Sequence, residues 1–168
     1  MPDYLISKNV FLIEGQWDNL SVIEKLKNKV KEYTQSNPLE ADHSIKNGVM
    51  TQWDCFVQDE DFHLFLKDNA KYFLDLNLIK FNVFDAWGGL YKKGSQAYCE
   101  KHDHLGANLC CGILYLSDQG PGTYFPELNK TIKEKKGGFV LFHPILEHEV
   151  QKYTYLEDRQ IIAFNIRK

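Results

Sequence analysis

Apolar residues along this chain follow two periods. Between 18 and 35, Val22, Ile23, Leu26, Val30 and Tyr33 recur every three or four positions, with Lys and Glu between them. That spacing predicts an amphipathic helix with one buried stripe. Asp18 or Ser21 can cap its start, and Asn37-Pro38 ends it, because proline cannot continue a helix. Before it, residues 4–14 read as one or two strands punctuated by Gly15. Residues 38–52 are polar and weakly patterned, which predicts a loop beside a site entrance. Residues 53–57 predict a short strand. Asp59, Glu60 and Asp61 suit the N-terminus of a second helix, where carboxylates meet the positive end of the dipole. That helix runs to Leu76 and buries Phe62, Phe65, Leu66, Phe73 and Leu76.

From residue 81 the period changes. Short alternating runs at 81–91, 97–104, 108–117, 122–125, 131–133, 138–142, 148–155 and 159–166 are separated by Gly, Pro, Asn and Asp. Gly120-Pro121-Gly122 and Lys136-Gly137-Gly138 are the firmest turns. Many short strands with regular turn signals predict a sandwich or jelly-roll barrel. Both helices precede it and are expected to cover one of its sheets, an α+β, mainly β layout. No linker divides the chain. The expectation is one domain over 1–168, with 1–80 supporting a β core at 81–168.

Composition narrows the function classes. The 168 residues are 43% hydrophobic and 14% aromatic, which suits β-rich packing. Net charge is −3, so no basic field argues for nucleic acid. No apolar run is long enough to span a bilayer, and the first residues lack a signal-peptide pattern. A cytoplasmic protein is expected. Cys55, Cys99, Cys110 and Cys111 show no CxxC spacing and read as reduced packing residues.

The candidate chemistry lies in 98–117 and near the C-terminus. His102 and His104 stand two apart in a predicted strand, where i and i+2 share a face. Two imidazoles on one face are half of a metal site. Asp103 then points away, unless a bulge turns it inward. His148 opens a later strand. Arg159 begins the last one, at the mouth of the expected barrel. A guanidinium there needs a carboxylate or phosphate partner. Asp158, Glu157 or Glu149 can supply one from within the chain, and a dicarboxylate ligand can supply one from outside.

The ordered set Tyr91, Gly94, Tyr98, His102-x-His104, Tyr115-Leu116, Gly122-Thr-Tyr-Phe125-Pro126, Gly138, Phe142, His148-x-Val150 and Arg159 resembles the iron(II)/2-oxoglutarate-dependent oxygenases. It is most similar to the prolyl-4-hydroxylase-like branch with its small phage and bacterial members. The resemblance covers about half the chain, from Trp87 to Ile166. It implies a double-stranded β-helix, cupin-like, holding Fe(II). It also implies 2-oxoglutarate and O2 as co-substrates, with release of succinate and CO2, and a peptide or small-molecule substrate. Position by position, His102 and His148 match iron ligands and Arg159 matches the partner of the far carboxylate of 2-oxoglutarate. Tyr91, Tyr98 and Tyr115 match aromatic positions of the co-substrate pocket, with Tyr98 and Tyr115 expected as the contacts. Asn165 shares the Arg159 face by alternation. The chain departs from the family pattern of His-x-carboxylate, because His104 stands where the carboxylate belongs. The expected ligand set is therefore His102, His104 and His148, with Asp103 as the alternative. The departure keeps two other readings open: a cupin-like binding or structural module with a vestigial metal site, and a three-histidine oxygenase independent of 2-oxoglutarate.

Overall fold

The computed structural model describes residues 4–7, 10–40 and 43–168. Three α-helices occur among them: α1 (Leu20–Ser36), α2 (Glu60–Asp68) and α3 (Ala70–Asp75). The strands of the first half are β1 (Tyr4–Ser7), β2 (Val10–Gln16), β3 (Ile45–Lys46) and β4 (Val49–Met50). The second half adds β5 (Asn82–Tyr91), β6 (Tyr98–His102), β7 (Cys110–Tyr115) and β8 (Thr123–Phe125). It continues with β9 (Lys130–Ile132), β10 (Gly138–Phe142), β11 (His148–Val150) and β12 (Arg159–Arg167).

The strands form two sheets. The larger has the order β1-β2-β10-β7-β12-β5-β4, and the smaller β3-β6-β11-β8-β9. All pairings are antiparallel. The chain is thus mainly β with two antiparallel sheets. No helix among the described residues is long and apolar enough to cross a membrane.

Alternation divides the core in two. On β7, β10 and β12, the residues Leu114, Phe139, Leu141, Ile162, Phe164 and Ile166 join Val22, Ile23, Leu26 and Val30 of α1 and Phe62 and Phe65 of α2. Their neighbours in sequence, Ile113, Tyr115, Val140, Phe142, Ile161 and Ala163, pack toward the smaller sheet with Cys99, Phe125, Ile132 and Val150. Glycine sets the closest approach on the helix side. Gly112 lies opposite Phe164 in register, and a β-carbon at Gly112 would collide with the Phe164 ring.

Several local expectations are corrected. The stretch 53–57 is a series of turns, not a strand. Two of its amides close locally, Cys55 N–H onto Gln52 O and Val57 N–H onto Asp54 O, and the Phe56 N–H reaches Ala86 O of β5. The predicted loop 38–52 contains β3 and β4, which are only two residues each but enter different sheets, β3 beside β6 and β4 beside β5. The second helix breaks at Asn69, whose side-chain Nδ2 donates to Phe65 O and whose dihedrals leave the helical region. Neither Asp18 nor Ser21 caps α1. Asn19 occupies the cap position without a side-chain bond to the backbone. Asp59 does cap α2, accepting from the N–H groups of Asp61 and Phe62.

Candidate metal centre and co-substrate pocket

Two strands of the smaller sheet deliver the first two histidines. His102 ends β6 and His148 begins β11, and they are direct partners in the ladder. Their ring centroids are 4.3 Å apart. His104 lies beyond the end of β6, so the expectation that it shares a strand face with His102 does not hold. The loop brings it back by another route. Its N–H donates to Pro144 O, and Asn108 Nδ2 donates to its carbonyl. The His104 ring then sits 4.9 Å from that of His102 and 5.2 Å from that of His148. One ligating atom from each of the three lies within 4.8 Å of the others, a group that can hold a metal ion.

Hydrogen bonding orients two of these rings. His102 Nδ1 is 2.7 Å from Glu100 O and His148 Nδ1 is 3.3 Å from Leu146 O. A carbonyl only accepts, so each Nδ1 carries the proton and each Nε2 keeps its lone pair for a metal. Burial, helped by the neighbouring His102, pushes the His104 pKa down to about 4. Burial and then the other two histidines hold His148 well below the usual range. Neutral imidazoles are the form that binds metal. Asp103 is exposed and directed elsewhere: its Oδ1 accepts the Leu105 N–H, and it is not in the cluster.

A narrow cavity of about 40 Å³ runs between the sheets from the three histidines to Arg159. Arg159, Ile161, Ala163 and Asn165 line it from alternate positions of β12. It is therefore polar at its two ends and apolar between. Tyr91 also lines it, and the Arg159 guanidinium lies over the Tyr91 ring at 4.2 Å. Tyr98 and Tyr115 are not among its lining residues. The Tyr115 hydroxyl shares a 2.7 Å hydrogen bond with Thr123 Oγ1, and the Tyr98 ring lies beneath Lys152 Nζ.

Arg159 is 1% exposed and donates from Nε to Glu134 Oε1 at 2.6 Å. None of Asp158, Glu157 and Glu149 is its partner. Asp158 instead accepts the Lys93 N–H. Burial works against the Arg159 cation, but the Glu134 carboxylate together with Tyr91, Tyr155 and Tyr115 outweighs this and raises its pKa. Its Nη1 is buried and has no hydrogen-bond partner, and the Tyr155 hydroxyl is in the same condition. An orphaned guanidinium N–H is costly unless a ligand meets it. Glu134 is the residue that sequence reasoning missed. It sits in a lysine-rich turn that reads as surface, yet it is two residues beyond buried Ile132, the phase that alternation turns inward.

No family model matches this sequence, and a search of curated proteins gives no match. Solved structures do match in fold. The viral collagen prolyl hydroxylase vCPH of Paramecium Bursaria Chlorella virus-1, solved as a 2-oxoglutarate complex, superposes with TM-score 0.68 at 21% identity. The match covers 96% of this chain and 97% of that one. A Pseudomonas putida prolyl-4-hydroxylase gives TM-score 0.70 at 16% identity, covering 94% and 92%. HygX of Streptomyces hygroscopicus, solved with nickel, 2-oxoglutarate and hygromycin B, gives 0.66 at 14%, covering 95% and 82%. The chain shares its fold with prolyl hydroxylases and other 2-oxoglutarate-dependent oxygenases.

Proposed function

We propose that this chain is an iron(II)- and 2-oxoglutarate-dependent oxygenase built on a double-stranded β-helix, hydroxylating a peptide or small-molecule substrate. One observation carries the reading: three clustered imidazoles and a guanidinium with a free N–H stand at opposite ends of one apolar-walled cavity. The residues fit the groups. His102, His104 and His148 would hold the metal through nitrogen donors, a set suited to iron. A linear 2-oxo dicarboxylate is polar at both ends and apolar between, as this cavity is, and Arg159 would take its far carboxylate.

Iron with 2-oxoglutarate, when bound, supplies activation of O2 and hydroxylation of a C–H bond, with succinate and CO2 released. The chain supplies position and dryness. The ladder pair His102–His148 fixes two donors on a rigid sheet, and the Glu100 and Leu146 carbonyls set their tautomers. Tyr91 and Glu134 hold the guanidinium in one place. Ile113, Ile161 and Ala163 keep water from the space between.

The test is optical. Adding 2-oxoglutarate to iron(II)-loaded protein without air is expected to produce a weak visible charge-transfer band, and admitting air to produce succinate. Iron-loaded protein that shows neither contradicts the reading. The Glu134 ion pair favours one other reading, in which Arg159 is neutralised internally and the three histidines serve an oxygenase without 2-oxoglutarate. Oxygen consumption that needs iron but is indifferent to 2-oxoglutarate would select it.

A further inference from the structure

The co-substrate pocket opens outward into a depression of about 570 Å³. Ser44, Trp87, His102, His104 and Asn165 line both spaces, so a molecule in the depression reaches the histidine cluster. The chemistry of this mouth is one-sided. Asp85 and Asp103 line it, and no lysine or arginine does among the described residues. Neither carboxylate is in an ion pair with a described lysine or arginine. Asp85 Oδ2 accepts from Asn165 Nδ2 at 3.1 Å, and Asp103 Oδ1 accepts the Leu105 N–H, so each spends one bond inside the protein. A cation adjoins the mouth without lining it: Arg167 donates from Nε to Asn108 Oδ1 of the mouth wall, and its guanidinium is stacked on Phe84.

A second, independent feature points to a ligand. Asn165 is 4% exposed, and its Oδ1 is buried without a hydrogen-bond partner while the residue lines both spaces. An orphaned acceptor there calls for a donor from outside. The remaining wall is aromatic. Trp87 packs against His104 at 6.2 Å, and Trp53, 40% exposed, meets Trp87 edge-on at 4.9 Å. Indole faces beside carboxylates favour a cation over a neutral group of the same shape. The metal does not reverse this sign. Three metal-bound imidazoles, a divalent ion and a dianionic 2-oxo acid sum to no net charge, which leaves Asp85 and Asp103 as the charged carboxylates lining the mouth.

We propose that the mouth receives a substrate bearing an alkylammonium group, held by Asp85, Asp103 and the Asn165 carbonyl against Trp53 and Trp87. The inference rests on the oxygenase reading for its catalytic meaning, but the binding preference stands or falls by itself. The test is calorimetric titration of protein given iron(II) and 2-oxoglutarate without air, with three probes. These are a short capped peptide containing one lysine, the same peptide with norleucine, and 1,5-diaminopentane. At least one amine probe is expected to bind about tenfold more tightly than the norleucine peptide, as a charge-assisted contact would give. Whether the peptide or the diamine binds better identifies the source of the ammonium group. Asp85→Asn and Asp103→Asn are each expected to remove most of the preference. Equal binding of the lysine and norleucine peptides, with no binding of the diamine, overturns the proposal using wild-type protein alone. A preference that survives both substitutions overturns the assigned site. The visible band recorded in the same samples reports on the oxygenase reading separately: a band without amine preference sinks only this inference, and amine preference without a band sinks only that reading.

Discussion

On β12, Ile162, Phe164 and Ile166 face the helices, whereas Arg159, Ile161, Ala163 and Asn165 face the smaller sheet. The two faces share one backbone and differ in what burial does to them. On the helix side, Phe62, Phe65, Phe139 and Phe164 pack edge to face around glycine gaps, with centroid distances of 5.3 to 6.0 Å. The buried amide of Asn69 bonds there to local backbone. Between the sheets, burial is spent on ionisable groups: the Arg159 guanidinium paired with the Glu134 carboxylate, and the His104 and His148 imidazoles, whose pKa values are lowered by burial and by neighbouring histidines. One face holds the sheet in shape, and the other carries groups whose protonation and pairing a ligand can change.

That contrast can be broken most severely at the Arg159–Glu134 pair. Glu134→Ala leaves a buried guanidinium without its counter-charge and is expected to cost about 3–5 kcal/mol in urea unfolding. A loss under about 1 kcal/mol would mean that the pair is solvated in solution. On the opposite face, Gly112→Ala drives a methyl group into the Phe164 ring. The expected loss is about 1–3 kcal/mol, with iron affinity unchanged, because the strain falls on the helix side. A fall in iron affinity equal to that of a histidine variant would show that the two faces are coupled.

A smaller effect comes from pH. The folded pKa of His104 is about 4 against an ordinary 6.5, and that of His148 is lower than ordinary too. As pH falls, the unfolded chain takes up these protons first. Metal-free protein is therefore expected to lose stability from about pH 6.5 down to about pH 4, roughly 1 kcal/mol from His104 by pH 5.5. These two groups contribute no slope above about pH 7. Urea midpoints at pH 7.5 and 5.5 measure it, and a midpoint that rises on acidification contradicts the assignment.

Alternation made much of this legible from sequence. It put Asn165 on the Arg159 face, and the helix period found the buried stripe of α1. The eight strand runs after residue 81 all appear, 138–142 with the expected ends and the others with shifted ones. What sequence could not show was long-range. His104 joins the cluster through a bond to Pro144, forty residues away, not through the strand phase that first singled it out. Glu134 was hidden by lysines on both sides, and its partner begins β12 of the larger sheet. The hydroxyl of Tyr115, which matched a pocket position, bonds Thr123, a partner that spacing does not reveal. Residues 53–57 carry Trp and Phe, yet the backbone there turns, and Phe56 reaches the core from a turn.

The central claim is that three imidazoles grip one ion. Anaerobic iron(II) titration of the wild-type chain and of His102→Ala, His104→Ala and His148→Ala measures it directly. One iron per wild-type chain, with affinity cut at least about tenfold in each variant, is the expected result. Undiminished binding in the His104 variant, or iron bound with no dependence on His148, would contradict it.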